Sequence, residues 1–268
     1  MKFGICTNMN ASNLNKVGIE QIGLYADFGF DYVELPLGEI MLMSDKEFTL
    51  LQNALRNANI PCLACNNFIH KGIRLTGPDF NLEAIKTYCE EAIARAGELG
   101  AEVIVFGSSG ARNKPPGFSK EQAYHQIDLV LSTIAPIANK YKIDIGIEQH
   151  NPTEGNMFNH FKTVREAAGR IDHPRINCLL DNYHMGTVLE GPDVFSGIGK
   201  KLVHIHISAL LNNRAMPLHP DELDYRRLFK ALKDEQYDRT MSIEAHSSNL
   251  ALDVSVSLPL LRQLRNYS

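Results

Sequence analysis

Short aliphatic runs alternate with helical patterns along the entire chain, eight times over, and very few folds satisfy such a series. Residues 3–6, 31–35, 60–66, 102–106, 143–148, 176–181, 202–207 and 240–244 read as strands. Apolar residues at helical spacing follow them at 17–28, 44–59, 81–99, 119–141, 161–171, 223–234 and 249–264, with a short, poorly patterned helix expected within 193–200. Ser44 with Glu47 has the form of a capping box, and Ser119 to Gln122 repeats it. Pro136, inside the helix that Ser119 opens, predicts a kink or an early end.

No linker or low-complexity segment divides the series, and 268 residues suit one α/β barrel better than two domains. Strand count, order and length therefore predict a single (β/α)8 barrel, the TIM-barrel architecture, over residues 1–268. With 44% hydrophobic and 22% charged residues the composition is that of an ordinary globular protein. A net charge of −4 and a pI near 6.2 provide no basic footprint, so a nucleic-acid partner is not expected. Met1-Lys2 leads directly into the first strand, and no apolar run approaches a membrane span, so the expectation is a cytoplasmic protein without a membrane partner. The five cysteines form an odd set that argues against a disulfide framework. Cys62 and Cys65, three apart on a strand, are expected on opposite faces and unable to share a metal or a disulfide.

Side-chain parity sharpens the reading. Ile143, Ile145 and Ile147 form one aliphatic face of the fifth strand, while Asp144, Gly146 and Glu148 form the other. In the sixth strand Ile176, Cys178 and Leu180 oppose Asn177, Leu179 and Asp181. In the seventh Val203, Ile205 and Ile207 oppose His204 and His206, and in the eighth Met241 and Ile243 oppose Thr240, Ser242 and Glu244. With the aliphatic sets against the helices, the last inward positions are Glu148, Asp181, His206 and Glu244. All fall at the C-terminal strand ends, the face on which such barrels carry their active sites.

Carboxylates converging on one point repel or stay partly protonated unless a cation is present. One divalent metal ion is therefore expected. An oxygen-rich set with one imidazole favours Mn²⁺ or Co²⁺, with Mg²⁺ or Zn²⁺ also admissible. The bland reading of any single strand-end Glu or His is a hydrogen-bonded rim residue; four at one depth favour the metal.

Ile147-Glu148 with Glu154 six residues on, Leu180-Asp181-Asn182-Tyr183-His184, His204-Ile205-His206 with Asn213-Arg214 after it, and Ile243-Glu244 resemble the xylose-isomerase-like superfamily of sugar isomerases and epimerases. The series most resembles the ketose 3-epimerases of the tagatose or psicose type, and the loop from Phe106 to Arg112 extends the likeness over nearly the whole chain. The resemblance implies that Glu148, Asp181, His206 and Glu244 bind the metal, with Glu148 and Glu244 also the acid/base pair. It implies that Glu154, His184 and Arg214 hold one end of an open-chain ketose, a small-molecule sugar substrate, in a homodimer or homotetramer. The chain departs from the pattern in having two extra residues between His206 and Arg214, no Trp, Cys6 where an aromatic is expected at the mouth, and Leu218-His219-Pro220-Asp221 in place of a glycine-rich turn.

Outside this set, His204 lies a layer deeper and reads as a hydrogen-bonded core histidine; Glu34 reads as a substrate contact or a rim cap. Arg112 and Lys114 offer a phosphate site or a solvated lid. Rival activities within the resemblance are an aldose–ketose or hydroxypyruvate-type isomerase and an inosose-type dehydratase. An abasic-site endonuclease would want histidines at the third and fourth strand ends, where this chain has Asn66 and Gly107-Ser108. A non-catalytic sugar-binding barrel would not need a second flanking carboxylate.

Overall fold

Eight parallel strands close on themselves in the computed structural model of the chain, which describes residues 1–12, 16–210 and 212–267. They are β1 (Lys2–Cys6), β2 (Tyr32–Pro36), β3 (Cys62–Asn66), β4 (Val103–Phe106), β5 (Asp144–Glu148), β6 (Ile176–Asp181), β7 (Leu202–Ile207) and β8 (Thr240–Ile243). Each pairs with the next in sequence and β8 returns to β1, the arrangement of a (β/α)8 barrel. Around them run α1 (Ile22–Asp27), α2 (Leu37–Ile40), α3 (Asp45–Ala58), α4 (Leu82–Leu99), α5 (Ser109–Arg112), α6 (Lys120–Tyr141), α7 (Phe161–Ile171), α8 (Asn182–Thr187), α9 (Tyr225–Asp234) and α10 (Leu250–Tyr267).

The capping box forms in full at α3 and by its serine half alone at α6. Ser44 and Glu47 form both halves of a capping box at α3, and Ser119 accepts from the Gln122 amide at α6. Helix α6 does not end at Pro136. It continues to Tyr141, because a missing amide donor and ring clash, worth about 3 kcal/mol or more in an isolated helix, are offset by Ile134, Ala135 and Ala138 packed on the barrel. Nor is there an α-helix at 193–200. Gly191-Pro192, Gly197 and Gly199 leave only 3₁₀ turns there, and the helix of this unit is α8, begun immediately after β6 with Asp181 as its cap.

Strand parity holds except at two irregularities. The β2–β3 register passes from Val33↔Cys62 to Glu34↔Ala64, and the β6–β7 register from Cys178↔Leu202 to Leu179↔His204. Each skips one residue, Leu63 and Val203, and those two pack inside the barrel with Tyr32, Ala64 and Val103. Val203 is thus on the inner side, not with the helix-facing set. The first irregularity also overturns the reading of the Cys62–Cys65 pair: the extra residue restores both thiols to one face, their sulfurs 3.9 Å apart within the sheet–helix layer. Tyr32 lies across the inner floor, its hydroxyl 2.8 Å from Ser242 Oγ, over Gly4, where a Cβ would fall 2.4 Å from the ring.

Candidate active site

The carboxylates and the imidazole at the last inward positions meet at the C-terminal mouth of the barrel. Glu148, Asp181, His206 and Glu244 each offer a ligand atom within 4.8 Å of the others. Asp181 uses Oδ1 to cap α8, accepting from the amides of Tyr183 at 2.7 Å and His184 at 3.2 Å. Its Oδ2 is buried and receives no hydrogen bond, although Arg214 Nη1 lies 3.0 Å away. Paired with that guanidinium but without a hydrogen bond, the buried oxygen keeps lone-pair capacity that a metal ion could also use.

His206 is set by its other nitrogen. Nε2 lies 2.9 Å from Glu34 Oε1, which leaves Nδ1 facing Glu148 Oε1 at 3.0 Å and Glu244 Oε2 at 3.3 Å. Glu34 is completely buried and also meets His204 Nε2 at 2.8 Å; His204 Nδ1 in turn reaches Thr240 Oγ1 at 2.7 Å. His204 is therefore the core histidine its depth implied, and Glu34 is neither a rim cap nor a substrate contact but the anchor of two imidazoles. Burial works against the Glu34 charge, yet the two histidines hold its carboxyl well below the usual carboxylate range. Cys6 is fully buried beside Glu34 and His206, so it lies beneath the mouth rather than in it.

Glu148 is held at both oxygens, Oε1 by His206 and Oε2 by His150 Nε2 at 3.1 Å. Its burial is outweighed by those two rings, and it stays ionised well below the ordinary carboxylate range. The backbone at Gly107 passes so close that a Cβ there would fall 2.0 Å from Glu148 Oε2.

Three more predicted residues line the same cavity: Glu154, His184 and Arg214. Arg214 Nη1 donates to Glu244 Oε2, and its guanidinium lies 4.4 Å from the centre of the Tyr183 ring. Burial pushes the His184 imidazole down to about 3. Its Nδ1 lies 3.1 Å from the Asn151 amide and its Nε2 2.7 Å from Arg214 Nη2, both donors. A neutral imidazole has one acceptor nitrogen, so only one of these contacts is satisfied at a time. Glu154 Oε1 accepts from Asn151 Nδ2 at 3.0 Å and its other oxygen is 3.9 Å from both His184 and Arg214. Asn212, Asn213 and Arg214 all have positive φ, a strained run on the loop that carries the guanidinium.

Residues 22–264 match the sequence profile of the xylose isomerase-like TIM barrel family. The chain belongs to that family. Solved structures of similar shape include D-psicose 3-epimerase in the presence of D-fructose, at TM-score 0.83 and 20% identity, covering 99% of this chain and 98% of that one. D-allulose 3-epimerase from Methylomonas sp. in complex with D-allulose matches at 0.82 and 20%, covering 98% and 96%. A 3-keto-D-glucoside 4-epimerase from E. coli matches at 0.80 and 19%, covering 98% and 99%. At such identities the likeness is one of fold.

Within this xylose isomerase-like barrel the cavity that Glu148 and Glu244 border measures about 310 Å³. Asn66, at the end of β3, is 98% inaccessible, and its Oδ1 lacks a donor while Nδ2 reaches Asn8 Oδ1 at 3.2 Å. His246 also lines the cavity and is pinned through Nδ1 to the Met9 carbonyl at 2.8 Å. His150 and Asn8 also line it, without having been singled out from sequence.

Arg112 is not available to an anion. It is buried, donates Nη1 to the carbonyls of Phe106 at 2.8 Å and Glu148 at 2.9 Å, and lies over the Phe158 ring at 4.9 Å. The guanidinium fastens the end of β4 to the end of β5, which places Gly107 against Glu148. Lys114 is held through its backbone to the Asn156 side chain, whose Oδ1 accepts at 2.9 Å.

Proposed function

We propose that the protein is a divalent-metal-dependent sugar epimerase, acting on small open-chain ketoses with inversion at C3. The observation that carries this is that Glu148 and Glu244 line one cavity and cluster with Asp181 and His206, their candidate ligand atoms within 4.8 Å of one another. Chemistry of the donor set supports a hard or borderline cation, Mn²⁺ or Co²⁺ before Mg²⁺ or Zn²⁺. Bound there by Glu148, Asp181, His206 and Glu244, it would act as a Lewis acid on the sugar's carbonyl and hydroxyl oxygens.

Two carboxylates at one reacting carbon provide what inversion needs. One removes the proton α to the carbonyl, leaving a planar enediolate, and the other returns a proton to the opposite face. Glu148 suits the part of base, since His150 and His206 keep it ionised. Glu244, beside Arg214, takes the opposite part. Arg214, Glu154 and His184 supply donors and an acceptor for the hydroxyls at one end of the substrate, and Asn66 Oδ1 offers a further acceptor. The solved relatives of similar fold, named as epimerases of psicose, allulose and a 3-keto-glucoside, support the same reading. A nuclease reading is opposed by Asn66 and Gly107 at the ends of β3 and β4, where additional metal-binding imidazoles would be wanted.

The test is incubation of the metal-loaded protein with free and phosphorylated ketoses in heavy water, with deuterium read at each carbon by NMR. Incorporation at C3 with inversion is expected. Incorporation at C1 would assign an aldose–ketose isomerase instead, and loss of water a dehydratase. Absence of exchange with every sugar would remove the proposal.

A further inference from the structure

The cavity over the ligand residues does not end at its own wall. A second one, about 520 Å³, adjoins it and shares Asn67, Ser108 and Ser109. It runs outward between the β2, β3 and β4 loops. Those loops are bound to one another: Gly38 donates to the Asn67 carbonyl at 2.8 Å, and the Ile69 amide to Ser108 Oγ at 3.0 Å. Ser108 has φ +25, a strained residue at the junction of the two lobes.

The first lobe stands at the small end of the roughly 300–1,000 Å³ over which proteins bind small ligands, and the outer lobe adds more volume than the inner one holds. Its lining has two characters. Leu42, Met43 and Ile69 give an apolar wall, and Leu42 keeps 68% of its surface exposed although it faces a concave space. Charges balance in number, two lysines (Lys16, Lys71) to two glutamates (Glu39, and Glu47, which Ser44 holds), and His70, Asn67 and Ser109 add further donors and acceptors. A phosphate-binding lobe would show an excess of cation. A wall of apolar carbon beside balanced polar groups suits a neutral polyhydroxylated ring, whose C–H face packs on leucine and methionine while its hydroxyls meet amide, hydroxyl and charged groups.

We infer that the outer lobe is a subsite for a second sugar ring, so that the favoured substrate is a glycosyl-ketose rather than a free or phosphorylated ketose. This rests on the sugar-epimerase reading and deepens it. The keto unit sits over the ligand residues, and the glycosyl unit passes Asn67, Ser108 and Ser109 to lie on Leu42.

The test is calorimetric titration of the metal-loaded protein with D-fructose, fructose 6-phosphate and three disaccharides, lactulose, leucrose and isomaltulose, which carry a hexose at C4, C5 and C6 of fructose. At least one disaccharide should bind ten or more times more tightly than both fructose and its phosphate. Leu42→Asp should abolish that gain while leaving fructose affinity within twofold, and Leu50→Asp, at an exposed position on α3, should leave it intact. Disaccharides bound no more tightly than fructose would overturn the subsite. So would a gain that survives Leu42→Asp, or a preference for the phosphate. Deuterium exchange, run separately, decides the epimerase reading; its absence with every sugar would remove that reading while the titration still decides this one.

Discussion

Glu34 and His206 meet across the barrel at 2.9 Å, and this contact chooses which imidazole nitrogen faces the carboxylates. Because the same glutamate also meets His204 at 2.8 Å, it accepts from two rings at once. Glu34→Gln keeps the shape but replaces one acceptor oxygen with an NH₂ donor. Whichever ring meets that donor must place its own proton on Nδ1, and for His206 that is the nitrogen proposed to bind the metal. Removing such a partner behind a ligand typically costs 10–100-fold in metal affinity. Titration of Mn²⁺ or Co²⁺ into the variant should show a loss of that order with circular dichroism unchanged; undiminished affinity would separate Glu34 from the metal centre.

Arg214 draws on the same oxygens a cation would use, donating to Glu244 Oε2 and lying 3.0 Å from Asp181 Oδ2. Two cations sharing carboxylates repel by roughly 4 kcal/mol at about 4 Å and an effective dielectric near 20. Arg214→Met should therefore tighten metal binding about tenfold or more while raising the KM for ketose. It should also lower the melting temperature in excess chelator, where Asp181 and Glu244 would lose the Arg214 guanidinium. Weaker metal binding in the variant would show that Arg214 organises the ligands instead of competing for them.

Gly107 is required by contact, not by backbone conformation. A methyl group there would fall 2.0 Å from Glu148 Oε2, and neither neighbour is free to retreat, since Arg112 ties the Phe106 and Glu148 carbonyls together. Gly107→Ala should cost about 1–3 kcal/mol in urea unfolding, the usual range for overpacking. It should also cut turnover at least a hundredfold by displacing Glu148, the proposed base. Near-normal stability and activity together would mean that the loop after β4 yields more readily than its hydrogen bonds imply.

Much of this site was readable because period-two alternation alone sorts each strand into a helix-facing and an inward set. Glu148, Asp181, His206 and Glu244 follow that rule, and so does Glu34, an inward residue in the middle of β2. What parity could not supply was the partner: the Glu34–His206 contact joins residues 172 apart in sequence across the barrel. Bulges defeat the rule locally. One extra residue at Leu63 turned Cys62 and Cys65 to the same face, and another at Val203 moved that side chain inside. Arg112 was misread because a basic residue in a glycine-rich loop usually faces solvent, whereas here two strand-end carbonyls and a Phe158 face draw it inward.

Inversion by two carboxylates predicts an asymmetry that one-base chemistry cannot produce. If Glu148 and Glu244 serve opposite faces of the same carbon, Glu148→Gln and Glu244→Gln each remove one proton-transfer group and leave the other, beside His150 and His206 or beside Arg214. Each variant should then exchange the C3 proton of one epimer with solvent and not that of the other, with net epimerisation reduced at least 10³-fold, within the scale typical of a lost acid or base. The two variants should choose opposite epimers. Metal content, measured by atomic absorption after dialysis, separates this outcome from simple loss of the cation. Equal exchange of both epimers in either variant would assign both proton transfers to the surviving glutamate, and the opposed pair would have to be abandoned.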